Sequence, residues 1–328
     1  ATARVGLHRY TFPKSDEAAI VFDLENGGCW DAVTESFIEA EGNSRLVGYR
    51  YSKGWAKNQR IYFAAEFQKP FSRFERIDSM YGRASFETEE GEEILLRVAI
   101  SPVSIEGAKE ALAAEMDSWD FEGTRAAAVN AWESELSRMK VSMRSERELN
   151  IFYTALYHAM IAPMLFSDVN GDYRGADDKV YNRDKPRYTC FSLWDTYRAK
   201  QPLMTIIHPQ KAGEFVATMV DICDKQGDLP VWHLWGNETD CMVGDPGIPV
   251  VADAIVKGIE GFDPEAAFEA IKKTAAVEER GKEFRHKHGY IPCNLFTEAV
   301  AFDMEYAIAD AAAAIADKAL GKQSDCVE

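Results

Sequence analysis

Positive charge is scarce in the 328 residues: 37 Lys+Arg face 54 Asp+Glu, a formal net charge of −17. That balance repels a phosphate backbone, and no Lys/Arg stripe offsets it, which argues against a nucleic-acid partner. Long hydrophobic runs are missing too. The longest candidate, 299–316, is broken by Asp303, Glu305 and Asp310, short of the ~18 apolar residues that suggest a membrane span. The six cysteines (Cys29, Cys190, Cys223, Cys241, Cys293, Cys326) show no CxxC or CxxxH spacing. That leaves zinc and dithiol chemistry unsupported and predicts free thiols, buried or partly buried. H-E-x-x-H, GxGxxG, Walker A and G-x-S-x-G sequences are all absent, so nucleotide binding and serine-nucleophile chemistry lose their main support. His286-x-His288 has no further ligand nearby, and His158 reads as a core histidine on an apolar helix face. No leader-like segment opens the chain; residues 1–5 read as the middle of a folded segment.

What is present suits a folded core. Hydrophobic residues make up 46% and aromatics 12%, which excludes disorder, and the length allows about two domains at roughly 150 residues each. The first hundred residues read as β. The apolar runs 18–24, 61–67 and 94–100 are bounded by turn residues at Asn26-Gly27-Gly28, Lys69-Pro70 and Glu90-Gly91, the spacing of an antiparallel sandwich. From about residue 106 the pattern turns helical. Residues 106–115 and 124–139 suit helices that link two domains.

Ser145-x-x-Glu148 has the form of a capping box, and it precedes a face of Leu149, Phe152, Tyr153, Leu156 and Met160, ended by Pro163. Asp263-Pro264 opens a helix through about 276, a loop covers 286–292, and a long helix runs from 297 to 320 before Gly321. The expected architecture is therefore a β-sandwich followed by an all-α domain.

Two stretches concentrate chemistry. One is Phe191-Ser192-Leu193-Trp194-Asp195-Thr196-Tyr197-Arg198, and the other runs from Leu229 through Trp232, Trp235 and Glu238 to Asp245. A pyranose has an apolar C–H face that stacks on tryptophan and hydroxyls that donate to carboxylates, so tryptophans beside acids are what a sugar site needs. Ordinary packing gives the same pairs: Asp195 can cap a helix, and Arg198 can pair with Asp195. An acid–base pair is available among Asp195, Glu238, Asp240 and Asp245, although glycosidase chemistry depends on carboxyl separations that a sequence does not give.

These stretches, together with Arg4-Val5-Gly6-Leu7-His8-Arg9-Tyr10-Thr11-Phe12-Pro13, Gly54-Trp55, 151–158 and 166–175, resemble glycoside hydrolase family 92, the calcium-dependent exo-acting α-mannosidases. The resemblance runs over essentially the whole chain. It implies a β-sandwich on an (α/α)6 toroid, divided as 1–105 sandwich, 106–144 helical linker and 145–328 first toroid helices. It also implies removal of mannose with inversion from mannose-containing glycans, with calcium as cofactor, and export to a periplasm or cell surface.

On matching positions Trp194 and Asp195 are expected to contact mannose, Trp232 and Glu238 to line the pocket, and Trp55 to reach it from the β domain. The family's general acid and base motifs and its main calcium ligands are not found here. The chain is therefore expected to be an interior fragment, inactive alone, with an exposed apolar edge. The alternatives are a non-catalytic carbohydrate-binding or scaffold protein on the same fold, or a glycosidase that uses its own four acids.

Overall fold

The computed structural model describes residues 1–27 and 31–322; Gly28, Cys29 and Cys326 of the turn and cysteine readings lie outside the described residues. The chain divides into two compact units. One comprises 1–140, 165–174 and 180–184; the other comprises 141–164, 175–179 and everything from 185 onward.

The first unit holds strands β1 (Val5–Phe12), β2 (Ser15–Asp23), β3 (Ala32–Glu41), β4 (Arg45–Lys53), β5 (Gln59–Phe67), β6 (Arg73–Arg76), β7 (Tyr81–Thr88) and β8 (Glu92–Ser101), then helices α1 (Ile105–Glu115) and α2 (Phe121–Leu136). Antiparallel pairing builds a five-stranded sheet in the order β1-β8-β5-β4-β3 and a three-stranded sheet in the order β2-β7-β6. Between them Ile20, Ile38, Leu46, Phe63, Phe67, Phe86 and Ile94 form one core.

On the other face of the large sheet, Val5, Val47, Ala64 and Ala99 pack with Ala108, Ala111, Leu112 and Met116. Ser104 caps α1, its side chain accepting the Gly107 N–H at 3.0 Å. Strands β5 and β8 are thus covered on both faces, which is why they read as near-continuous apolar runs. Strand β7 alternates, and polar or glycine residues interrupt the apolar residues of β3 and β4, so a search for apolar runs passes over all three. The stretch expected as a linker is, through residue 140, part of this unit.

The second unit holds α3 (Glu146–Ile161), α4 (Leu193–Thr196), α5 (Lys200–Ile207), α6 (Pro209–Gln226), α7 (Gly247–Val256), α8 (Pro264–Ala275), α9 (Lys282–His288) and α10 (Ala299–Ala319). Asp263 accepts the Glu265 N–H at 2.9 Å, with Pro264 opening α8 as predicted. Ser145 caps α3, but Glu148 Oε2 accepts from the Arg144 N–H at 3.0 Å, a capping box shifted by one residue. Along α10, Val300, Met304, Ile308 and Ile315 stay exposed.

Three expectations are corrected. Residues 286–288 form the last turn of α9 rather than a loop, which ends at Gly289 in the left-handed region that glycine tolerates. His158 is exposed beside Tyr157, because α3 turns it away from Leu156. Cys241 and Cys293 are free and exposed, whereas Cys223 is buried and Cys190 half-buried. Among the described residues no helix is long and apolar enough to cross a membrane.

One buried charge makes the first unit pH-sensitive. Asp168 is 3% exposed; its Oδ2 accepts from Ser101 Oγ at 2.7 Å, and its Oδ1 meets no donor among the described residues. Burial pushes its carboxyl up to about 6; Asp172 and Glu110 add to this, against the Ser101 bond and Arg4. A carboxyl that binds its proton more tightly when folded stabilises the fold at low pH. That contribution is lost as pH rises from the unfolded value near 4 through 6. Thermal melting of wild type and Asp168→Asn between pH 4 and 7 should show a loss on the order of 2 kcal/mol in the wild type alone; equal slopes would contradict the assignment.

Candidate functional site

Although 30 residues separate them in the sequence, the two chemistry-rich stretches meet in a small antiparallel ribbon of the second unit. Strand Phe191–Ser192 pairs with Trp232–Leu234, placing Ser192 opposite Trp232, and Trp232–Leu234 pairs with Asn237–Glu238, placing His233 opposite Glu238. The Leu193 N–H donates to the Val231 carbonyl at 3.2 Å. Trp194-Asp195 therefore follow, at the start of α4, directly on a strand paired with that of Trp232, and both strands are too short to show a period-two pattern.

Glu238 holds the ribbon's far end. Its Oε1 accepts the backbone N–H groups of Trp232 (2.8 Å), Thr239 (2.9 Å) and Asp240 (3.0 Å), and its Oε2 accepts that of Val231 (2.9 Å). Burial raises its pKa, with Asp240 adding, while the Asp240, Trp232 and Val231 amides oppose. Its carboxylate is thus engaged by the protein's own amides, a role that the expectation of a pocket-lining residue did not include. Thr239 Oγ1 adds a bond to the Trp232 carbonyl at 2.9 Å.

Asp195 lies in α4 with its carboxylate exposed, and Ser192 Oγ donates to it. Arg198, one candidate partner for Asp195, pairs instead with Glu305 of α10, which also accepts from Tyr197 OH at 2.6 Å. The Arg198 guanidinium lies 5.8 Å from the Trp194 ring centroid. The half-buried Trp194 packs against Val243, Ile291, Ala299, Phe302 and Tyr306. Its indole N–H is shielded and meets no acceptor among the described residues.

The same unit holds a charge cluster. Asp245 is buried against Lys282 Nζ at 2.8 Å and Arg280 Nη1 at 3.5 Å, and Asp240 lies 3.6 Å from Arg280. Asp228, which the sequence reading missed, is pushed up to about 6 by burial and by Asp240, Glu238 and Asp245, against Lys282. Its only sequence signal is its place two residues before Pro230, a turn-like position that does not distinguish a titratable role. Trp55 lies in the first unit, between β4 and β5.

Among the described residues no group of three or more His, Cys, Asp or Glu gathers to hold a metal ion. Glu238 is committed to backbone amides and Asp245 to a lysine, so the calcium implied by the resemblance finds no cage here. What the arrangement offers is tryptophans on adjoining segments, with the exposed Asp195 carboxylate as an acceptor next to Trp194.

The backbone around these segments is strained. Cys190, Trp235 and Asp240 adopt φ of +63°, +49° and +50°, and Gly236 and Gly244 are also left-handed. Non-glycine residues there cost on the order of 1–2 kcal/mol each, and such outliers concentrate at functional sites. At Gly244 (φ +76°) an added Cβ would fall 2.4 Å from Glu305 Cβ.

Sequence comparison matches residues 1–101 to the glycosyl hydrolase family 92 N-terminal domain and residues 107–328 to the family's catalytic domain. Among solved structures, the chain is similar to a family 92 α-mannosidase of Bacteroides thetaiotaomicron in complex with mannoimidazole, at 34% identity and TM-score 0.93. That match covers 99% of this chain and 46% of the other. It is also similar to an inverting mannosidase of the family from the same organism, at 26% identity and TM-score 0.89, over 98% of this chain and 46% of that one. An uncharacterized secreted glycosidase of Arthroderma benhamiae is 26% identical over 228 residues, 63% of this chain and 25% of that protein. The chain thus spans under half the length of these solved structures.

Two substitutions test the geometry. Glu238→Ala strands several amides and should destabilise the second unit by about 2–4 kcal/mol in denaturant unfolding; an unchanged midpoint would contradict the clamp. Gly244→Ala should cost about 2 kcal/mol or more and disturb the Glu305 contacts, visible as a lowered melting temperature; a neutral variant would contradict the close approach.

Proposed function

The chain belongs to glycosyl hydrolase family 92, and from that premise we propose that it forms the sugar-holding part of an exo-acting, inverting α-mannosidase that removes terminal α-mannosides from glycans. The observation that carries the reading is the ribbon that joins Trp194-Asp195 to Trp232. An indole face beside an exposed carboxylate offers a pyranose both its apolar contact and its hydroxyl acceptor.

In this reading Trp194 stacks on the mannose, Asp195 accepts from its hydroxyls and Trp232 lines the same pocket. Glu238 serves the pocket through the backbone it holds. The general acid and base, and the calcium ligands, are assigned to polypeptide that the longer relatives carry. Glu238 and Asp245 are bound up in backbone and lysine contacts, which supports giving neither of them the acid–base role. Export fits the secreted relative.

The test is titration of the 328-residue chain with methyl α-D-mannoside, followed by incubation with α-1,2-mannobiose, with calcium and with EDTA. The expected result is mannoside binding that Trp194→Ala weakens at least about tenfold, or ~1.4 kcal/mol, without release of mannose. Unchanged binding in the variant, or hydrolysis by this chain alone, would overturn the reading.

A further inference from the structure

Trp235 stands where the local backbone disfavours it. The register of His233 with Glu238 and of Leu234 with Asn237 leaves Trp235 and Gly236 as a two-residue hairpin turn. Their φ values, +49° and +86°, are the left-handed pair that a type I′ turn requires. Such turns take Asn, Asp or Gly at the first position because those residues enter the left-handed region at least cost. A bulky aromatic with positive φ is a genuine outlier.

The indole is half-exposed rather than sunk in the core. Asn237 Nδ2 donates to its carbonyl at 3.1 Å, helping to fix the turn with the wrong residue for relaxed geometry. The same ribbon presents Trp232 three residues before the turn, and its partner strand, through the Ser192–Trp232 pair, leads directly into Trp194. Strained backbone is retained where its surroundings over-determine it and where the side chain it displays has work to do.

We propose that Trp235 is a sugar-contacting residue, held at the hairpin tip as an additional aromatic platform for a pyranose of the glycan. The inference rests on the mannosidase reading above and deepens it by naming a saccharide contact beyond Trp194, Asp195 and Trp232. It makes stability and binding respond in opposite directions. Replacing Trp235 with the residues the turn prefers relaxes the backbone while removing the platform.

The experiment compares the wild-type chain with Trp235→Asn, Trp235→Gly and Trp235→Phe, by thermal melting and by titration with methyl α-D-mannoside and α-1,2-mannobiose. The Asn and Gly variants should melt at the wild-type temperature or a few degrees higher (about 1–4 °C), while binding at least one of the two saccharides about tenfold more weakly or worse. Trp235→Phe, which keeps an aromatic face, should hold binding within about threefold of wild type. Melting temperatures that fall by more than about 3 °C in both the Asn and Gly variants would make Trp235 a packing residue and overturn the inference. So would wild-type affinity for both saccharides in those variants, leaving the mannosidase reading intact. A wild-type chain that binds neither saccharide would sink that reading, and this inference with it.

Discussion

One carboxylate organises the second unit's site. Glu238 gathers four backbone N–H groups from both arms of a loop, Val231 and Trp232 on one side and Thr239 and Asp240 on the other. Backbone donors turned inward would otherwise be left without partners, at a cost of about 1–3 kcal/mol each. With them satisfied, the strand Trp232–Leu234 has a fixed course, and its pairing with Phe191–Ser192 then determines where Trp194 and Asp195 emerge. The buried Lys282–Asp245 pair holds the next stretch of the loop. The tryptophans are therefore displayed by polar constraints, and the apolar packing behind Trp194 fixes its orientation.

The first unit depends on layers. A large sheet covered by a smaller sheet on one face and by α1 on the other needs doubly apolar strands at its centre and alternating strands elsewhere. The cost of that density is visible at Asp168, a carboxylate enclosed with a single hydroxyl donor and one oxygen unmatched among the described residues.

How much of this was legible follows from the range of each signal. Strands β2, β5 and β8 and the helix at Asp263-Pro264 could be read because their cues lie within a few adjacent residues. The strands β3 and β4 could not be read from apolar runs, since Thr34, Glu35, Ser36 and Glu39 in the one and Gly48, Arg50 and Ser52 in the other interrupt their apolar residues. Trp194, Asp195 and Trp232 stood out by type and neighbourhood. Glu238 also stood out, yet its four amide partners exist only once the loop closes, so its engagement by the backbone was invisible. Asp228 and Trp235 escaped for the same reason: a carboxyl is raised by neighbours distant in the chain, and a turn's φ values follow from strand register rather than from composition.

Amide hydrogen exchange at Val231, Trp232, Thr239 and Asp240 tests the account most directly, because the central claim is that one carboxylate holds these four donors at once. The account predicts that all four exchange slowly in the wild-type chain and accelerate together in Glu238→Ala, with the amides of β5 in the first unit unaffected. Rapid exchange of the four in the wild type, or acceleration of only one in the variant, would contradict it.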